Sequence, residues 1–337
     1  MIYLKYTMNE RLDEFYQYLT ESDIDSLMEH IEDADINIDN ITTRDEIIKL
    51  LMEKERNELI TERDNLMREI KMQLTKNINM EHDKIMTLED LLLLVNPTRK
   101  CVGDSLRSAR WMLYLLSNTK NNNICIPEYA LVKKTKLLYN GTRASILINY
   151  SNIEKSIYPN NINEIIEICS KRYIVFNLAI IKIFGNTGHA NLLIIDKYFK
   201  TIERFEPHGQ NSFYDEDLID TFIVNKIITQ IPDFRYIKPL DFCPVIGPQR
   251  KQEKNMFCRN EESGFCVTWV LYYFHLRLIN PYIPSSTIID YILSSNPSKL
   301  LSNIRRYQSI IEFIIPDPIS DDIVDFDNSH FPDSYPF

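Results

Sequence analysis

Three residues in the second half of the sequence have the types and spacing needed for nucleophilic catalysis: His189, Glu206 and Cys266. His189 opens an apolar run that ends at Asp196, and a polar turn and a second run lead from there to Glu206. These runs predict two antiparallel strands, so the end of the second should lie beside the start of the first. We therefore expect His189 and Glu206 to be neighbours, as an imidazole base and its orienting carboxylate must be.

Cys266 is the candidate nucleophile because of its place in the predicted secondary structure. It follows Gly264 and lies at the start of a predicted helix over about Phe265–Ile279. The free backbone N–H groups and the positive end of the helix dipole favour a thiolate at that position.

Other ionisable residues leave rival assignments open. His208, in the turn after the second strand, is a rival base, although a loop histidine beside the acid is the simpler interpretation. Asp196 and Glu203 are rival orienting acids, but they lie within the predicted hairpin or across it from His189, where we expect solvated charges. His275 lies on the same helix as the candidate nucleophile, over two turns further along, and is predicted to be structural.

The composition narrows the class of protein. With 337 residues, 44% of them hydrophobic, the chain can bury a large core, and its net charge of −10 argues against a general nucleic-acid binder. The N-terminus lacks the apolar run of a signal peptide, and the most apolar stretch, Tyr173–Phe184, is too short to span a bilayer. We expect a soluble cytoplasmic protein that binds no membrane. With no glycine-rich phosphate loop or HExxH motif present, we expect no cofactor.

The cysteines indicate neither a metal site nor a disulfide framework. The six are scattered and include no CxxC pair: Cys101, Cys125, Cys169, Cys243, Cys258 and Cys266. A structural zinc site is not predicted from this spacing, and a chain of this length does not need disulfides, so we expect reduced thiols. A regulatory disulfide between Cys258 and Cys266 is an alternative.

The chain divides into three regions by composition and hydrophobic pattern. The pattern of residues 1–95 predicts helices, including a long one up to about Thr75 that begins with a capping box of Thr43 and Glu46. We expect its apolar stripe to pack on the rest of the protein, with a coiled-coil or partner-binding arm as the alternative. Residues 96–315 predict a mixed domain of helices and strands. Residues 316–337 hold six Asp and no Lys or Arg, which predicts a disordered acidic tail.

The mixed region contains a predicted three-stranded core. The strands are expected at Arg172–Phe184, Ala190–Asp196 and Thr201–Glu206. The middle strand is apolar on both faces and should therefore be central in the sheet. After it we predict, in order, a helix, a strand and a long loop: Asp215–Ile231, Phe234–Lys238 and Asp241–Ser263.

The order of these features resembles that in the cysteine proteases that cleave ubiquitin-like proteins, a family that includes adenain and the poxvirus core protease. The segment HANLLIIDKYFKTIERFEPHG is similar to the family's histidine-to-acid segment without a gap, and the GPQ and GFC segments resemble versions from large DNA viruses. The resemblance covers about residues 170–280. It implies an α+β, papain-like fold with a twisted central sheet flanked by helices, a protease domain at 96–315 and an added helical region at 1–95.

The low glycine content, 7 residues, and the abundance of Ile, Asn, Lys and Tyr suggest an A+T-rich genome, such as that of a large DNA virus, a low-GC parasite or a low-GC bacterium.

The resemblance also implies roles for individual residues. His189 would be the general base, Glu206 its orienting acid, Cys266 the nucleophile and Gln249 a side-chain donor to the oxyanion. The reaction would be acyl transfer from an amide to water through a thioester. The implied substrates are proteins, either ubiquitin-like conjugates or viral structural precursors, with no metal and no nucleic-acid partner.

Four positions depart from the family pattern. Glu206 stands where SUMO-cleaving members usually have Asp, Ala190 replaces their Trp, and Val267 replaces their Gly. Gln249 precedes the nucleophile by 17 residues, where those relatives leave only a handful. Either an inserted loop fills this interval, or Gln252 or no glutamine plays the part.

Two other functions fit the same sequence. YopJ-type acetyltransferases resemble the same family and move acetyl from acetyl-CoA to a protein with a His–Glu–Cys triad. The glutamate suits them, whereas the lack of an evident basic patch for the CoA phosphates argues against them. A non-catalytic scaffold that acts through the N-terminal helix and the acidic tail is the third possibility.

Overall fold

The computed structural model describes residues 8–33, 43–75, 85–103, 107–108, 111–112, 114–115, 118, 124–125, 146–182, 187–210, 214–254 and 264–315. These residues form a mixture of helices and one sheet, so the predicted α+β class is confirmed at that level. The predicted acidic tail and Cys258 lie outside the described residues.

The sheet has six strands in the described part of the chain: β1 Ile124–Cys125, β2 Ile146–Asn149, β3 Tyr173–Lys182, β4 Thr187–Asp196, β5 Thr201–Phe205 and β6 Arg235–Ile237. Strands β3, β4 and β5 are antiparallel neighbours, β1 and β2 pair parallel to β3, and β6 pairs parallel to β5. β4 therefore lies in the interior of the sheet, and the prediction that the middle strand is central is confirmed.

The helices account for most of the remaining described residues: α1 Met8–Glu21, α2 Ile24–Asp33, α3 Arg44–Thr75, α4 Glu89–Leu93, α5 Ile162–Ile168, α6 Glu216–Lys226, α7 Pro239–Phe242, α8 Pro248–Gln252, α9 Cys266–Ile279, α10 Ser285–Leu293 and α11 Pro297–Ile314. The predicted long loop at 241–263 is wrong in part, because it contains α8. Pro248 takes the first helical position there, where its fixed φ and missing N–H cost nothing.

The sheet separates two cores. One face of the hairpin, including Leu192 and Phe205, packs with Trp269 in what we call the α9-side core. The opposite face, including Leu193 and Ile202, packs with α6 in the α6-side core. This division follows from the alternation of side chains along a strand.

The N-terminal helices pack through one stripe of α3. The predicted capping box is present, with the Thr43 N–H donating to Glu46 at 3.1 Å and the Glu46 N–H to the Thr43 hydroxyl at 3.3 Å. The second half of the helix contributes Leu66 and Ile70 to the α9-side core, whereas the start of the helix forms a small separate core with α1 and α2.

The structure changes the expectation of reduced thiols and excludes the alternative disulfide. Cys101 and Cys169 are each disulfide-bonded, which corrects the expectation of reduced thiols throughout. Chain length shows only that disulfides are not required, so it could not exclude them. Cys243 and Cys266 are free thiols, so the alternative disulfide between Cys258 and Cys266 is not formed. In the described part of the chain, no helix is both long enough and apolar enough to cross a membrane.

Candidate active site

His189 and Glu206 are brought together by the β4–β5 hairpin. Leu192 pairs with Phe205, so the next residue along β5, Glu206, comes opposite Asn191. His189 lies two positions before Asn191 and on the same face. Its Nε2 is 2.5 Å from Glu206 Oε1, and both side chains are buried. The predicted proximity of the two residues is confirmed.

Glu206 is held by two further donors. The Asn191 amide donates to Oε2 at 2.8 Å, and the His208 backbone N–H donates to Oε1 at 2.8 Å. Burial alone would raise the pKa of Glu206, but the charge and hydrogen bond of His189, followed by His208, hold it below its usual range. The group is therefore a carboxylate at neutral pH.

Behind Asn191 lies a fully buried arginine. Arg204 Nη1 donates to Asn191 Oδ1 at 2.8 Å, which leaves the amide nitrogen of Asn191 facing Glu206. The guanidinium also donates to Asp220 on α6 at 2.8 Å and lies 3.2 Å from the hydroxyl of Tyr236 on β6. The carboxylate of the pair is thus anchored to two secondary-structure elements beyond its own hairpin.

Cys266 is the first residue of α9, with Phe265 at the N-cap. Its free thiol is half-buried and lies near enough to His189 to help raise the pKa of that imidazole. Burial lowers the pKa of His189, but the charge and hydrogen bond of Glu206, together with the influence of Cys266, outweigh it and raise the pKa. Since Nε2 is engaged by Glu206, Nδ1 is the nitrogen left for the thiol. The arrangement favours an imidazolium beside a helix-start cysteine.

Two other rings stack with the ring of His189. His208 stacks on it with centroids 4.4 Å apart and planes 10° apart, and Tyr214 lies at 5.9 Å and 21°. Tyr214 belongs to the α6-side core, whereas Cys266 packs against the α9-side core. The candidate base and nucleophile therefore come from opposite sides of the sheet and meet where β4 begins.

Gln249 reaches the site because two glycines let two backbone segments touch. Gly209 has φ +82°, and a Cβ there would lie 2.4 Å from the Gly247 nitrogen. The Gly247 N–H donates to His208 O at 2.8 Å, and the Gln249 N–H donates to Pro207 O at 3.0 Å. These contacts place the GPQ segment directly against the turn that follows Glu206.

The two candidate glutamines have different surroundings. Gln249 is 2% exposed, and a Cβ on Gly264 would lie 2.5 Å from its Nε2, so its amide sits against the approach to Cys266. Gln252 accepts from Trp269 Nε1 at 3.4 Å and is thereby tied to the packed side of α9. Of the two, Gln249 is the one whose amide lies beside the segment that leads to the candidate nucleophile.

The rival acids are buried in ion pairs elsewhere, so the expectation of solvated charges is wrong. Asp196 and Glu203 are 2% and 3% exposed. Arg172 Nε and Nη2 donate to the two Asp196 oxygens at 3.0 and 2.8 Å, and Arg277 lies 3.7 Å from Glu203. Interior arginines, which the hairpin pattern does not reveal, compensate these charges.

The rival histidines occupy different positions. His275 is buried on α9, where burial lowers its pKa to about 3 and its Nδ1 lies 3.2 Å from the Tyr307 hydroxyl, so the prediction that it is structural holds. His208 is part of the site, stacked on His189, with its Nε2 3.4 Å from Glu253 Oε1.

A metal centre does not fit this cluster. The ligand atoms of His189, Glu206 and His208 lie within 4.8 Å of one another. The lone pairs of an imidazole nitrogen lie in the ring plane, and two rings only 10° from parallel and stacked face to face cannot both direct one at a shared ion. In addition, Glu206 is already hydrogen-bonded to His189.

Sequence reasoning missed four residues around the site. Asn191, Tyr214 and Glu253 contact residues that it identified, and Arg204 contacts Asn191. Side-chain alternation was a usable signal for the first two, because it places Asn191 on the face of His189, and Arg204 on the face of Glu206. No sequence signal marks Tyr214 or Glu253.

Comparison with known proteins gives one viral relative. Over 161 aligned residues the chain is 32% identical to an ankyrin repeat protein of Acanthamoeba polyphaga mimivirus. The alignment covers 44% of this chain and 19% of the relative, so the chain spans about a fifth of that protein's length. No family model matches the chain, and no solved structure matches it.

Proposed function

We propose that this chain is a cysteine peptidase or isopeptidase related to the proteases that cleave ubiquitin-like proteins. One arrangement carries the proposal: Cys266, at the first position of a helix, lies near His189, whose Nε2 is 2.5 Å from the buried carboxylate of Glu206. A nucleophile, a base and an orienting acid in this order form the working parts of a thiol hydrolase.

Each residue has a defined task in the proposed reaction. The Cys266 thiolate attacks the carbonyl carbon of an amide, and the proton held by His189 passes to the leaving amine. Glu206 stabilises the imidazolium and fixes the ring. The backbone N–H of Cys266 and the side-chain amide of Gln249 donate to the oxyanion. Water, activated by His189, then hydrolyses the thioester and restores the thiol.

The architecture supports a papain-like arrangement of the adenain type. The nucleophile helix α9 packs on one face of the sheet, and the base and acid lie on the interior hairpin of β4 and β5. Nucleophile and base then face each other at the end of the strands, which is how a cleft between two parts of such a protease is built.

A protein substrate fits this proposal best. The resemblance implies either ubiquitin-like conjugates or viral structural precursors, and the similarity to a mimivirus protein supports a viral setting. Ankyrin repeats, after which that relative is named, stack into extended binding surfaces for other proteins. This favours a macromolecular partner over a small metabolite.

The first experiment is covalent labelling with electrophilic probes built on the C-termini of ubiquitin and ubiquitin-like proteins. We expect labelling of the wild-type protein that is lost in Cys266→Ala and His189→Ala and kept in Cys243→Ala, a matched change of the buried free thiol. Labelling of this kind would identify both the catalytic pair and the substrate class.

Two other results would redirect the proposal. If iodoacetamide reacts selectively at Cys266 but no ubiquitin-like probe does, the substrate is a viral precursor, or the reaction is acetyl transfer, which trapping of labelled acetyl on Cys266 would reveal. If Cys266 reacts no faster than an ordinary exposed thiol and the His189→Ala change has no effect, the site is not a catalytic one.

A further inference from the structure

Glu253 joins the two halves of the site through one oxygen atom. It lies four residues after Gln249, directly after α8, and its Oε1 accepts from Gln249 Nε2 at 2.8 Å. The same oxygen is 3.4 Å from Nε2 of His208, whose ring stacks on His189. The carboxylate thus contacts both the proposed oxyanion donor and the ring that stacks on the proposed base.

The orientation of the Gln249 amide decides whether it can help catalysis. An amide group has a donor end and an acceptor end, and only the donor end can stabilise a negatively charged oxygen. An ionised carboxylate is an acceptor only, so Glu253 pairs with the NH2 end. The second N–H of that group has no acceptor among the described residues, and the nitrogen itself lies beside Gly264, two residues before Cys266.

The rest of the surroundings would not hold this orientation. Gln249 Oε1 is buried and has no hydrogen-bond partner among the described residues. The opposite end of the amide therefore has nothing in that part of the chain to secure it, and the bond to Glu253 fixes the group. Burial raises the pKa of Glu253, but hydrogen bonds from His208 and Gln249 bring it below its usual value, which keeps the acceptor ionised.

We infer that Glu253 is a positioning residue: it holds the side-chain amide of Gln249 with an N–H directed toward the carbonyl oxygen of the bound acyl substrate. This inference rests on the proposed function. Glu253 itself touches neither the nucleophile nor the substrate in this scheme, and it acts through Gln249.

Two reactions of Cys266 separate this role from a general structural one. In alkylation by iodoacetamide, the thiolate displaces iodide from a saturated carbon, and no oxyanion forms. In acylation by p-nitrophenyl acetate, the thiolate adds to the carbonyl carbon, negative charge develops on its oxygen, and p-nitrophenolate leaves as the thioester forms. Only the second reaction needs the Gln249 donor.

The full-length protein and its variants would be compared in both reactions, with Cys266→Ala as the background. We expect Glu253→Ala to slow acylation roughly tenfold and Gln249→Ala to slow it roughly a hundredfold, with alkylation changed by less than about twofold in each. The double variant should be no slower than Gln249→Ala, because both changes remove the same donor. Glu253→Gln keeps an acceptor oxygen and should recover most of the rate. Lys254→Ala, at the exposed neighbouring position, should match the wild type.

Two outcomes would overturn the inference. Acylation of Glu253→Ala at the wild-type rate would show that Gln249 needs no help. A parallel fall of acylation and alkylation, in Glu253→Ala and Glu253→Gln alike, would show that the residue only supports the fold. A wild-type protein whose Cys266 fails to acylate would instead refute the proposed function, and the inference with it.

Discussion

The Asn191 side-chain amide donates to Glu206 Oε2 at 2.8 Å, on the carboxylate oxygen that His189 does not use. The other end of the same amide accepts from the buried Arg204 at 2.8 Å, so its orientation is set by the arginine. The acid of the proposed triad is therefore held by an interior network, and a chain of hydrogen bonds extends from His189 through Glu206 and the sheet to α6.

We predict that Asn191→Leu weakens the site without abolishing it. The change removes one of the donors to Glu206 and leaves buried polar atoms unpaired, which should lower the free energy of unfolding by roughly 1–3 kcal/mol. The weaker carboxylate–imidazolium pair should shift the pH profile of Cys266 alkylation to higher pH. Chemical denaturation and alkylation rates measure the two effects, with Asn225→Ala on the exposed face of α6 as the control. An unchanged alkylation profile would exclude this role.

The His189–Glu206 pair predicts a pH window of stabilisation. Glu206 has a lowered pKa, so its contribution is present above the ordinary value of about 4.5 and is lost as the pH falls. His189 has a raised pKa, so its contribution is full below the ordinary value of about 6.5 and is lost only as the pH rises through the higher folded value.

The difference in unfolding free energy between wild type and His189→Gln should therefore be greatest between about pH 4.5 and 6.5 and should decline on both sides. Urea denaturation at a series of pH values measures this difference. A difference that is constant from pH 3 to 9 would mean that the pair is not ionised in the folded protein.

Gly209→Ala adds only one methyl group but should destabilise the protein strongly. A residue with a side chain is strained at φ +82°, and the added Cβ would lie 2.4 Å from two backbone atoms, Gly247 N and Pro244 O. We expect a loss of roughly 2 kcal/mol or more in the free energy of unfolding. Gly188→Ala is the matched control, because a Cβ there comes no closer than 4.0 Å to its nearest neighbour. Equal stability of the two variants would contradict the close approach of the two loops.

Gly264→Ala should affect activity more than stability. The new Cβ would lie 2.5 Å from Gln249 Nε2, which is the end of a side chain that can move aside. Moving it displaces the proposed oxyanion donor, so acylation by p-nitrophenyl acetate should fall roughly tenfold to a hundredfold. Thermal unfolding should change little. Wild-type acylation in this variant would place the donor elsewhere.

The sequence was most informative where the structure is local. The neighbourhood of His189 and Glu206 follows from one hairpin, and the place of Cys266 follows from a helix start. The capping box at Thr43 is equally local. In each of these features the hydrophobic pattern and the connecting turn determine the geometry.

Contacts between distant segments were not predictable in the same way. Glu253 contacts His208 only because Gly209 and Gly247 allow two loops to meet, and glycines alone do not state which loops will do so. The burial of Asp196 and Glu203 depends on Arg172 and Arg277, whose pairing is a property of the assembled interior. The sequence pattern therefore predicted that Asp196 and Glu203 are exposed to solvent, whereas in the fold they are buried beside arginines of opposite charge.

The position of the candidate site between two cores has a further consequence. Cys266 is carried by the α9-side core, while the ring of His189 rests on Tyr214 of the α6-side core. The relative position of Cys266 and His189 therefore depends on how the two layers are aligned. A slight displacement of one layer against the other would separate these two residues while each core remained packed. The proposed activity should therefore be lost at a lower denaturant concentration or temperature than the secondary structure.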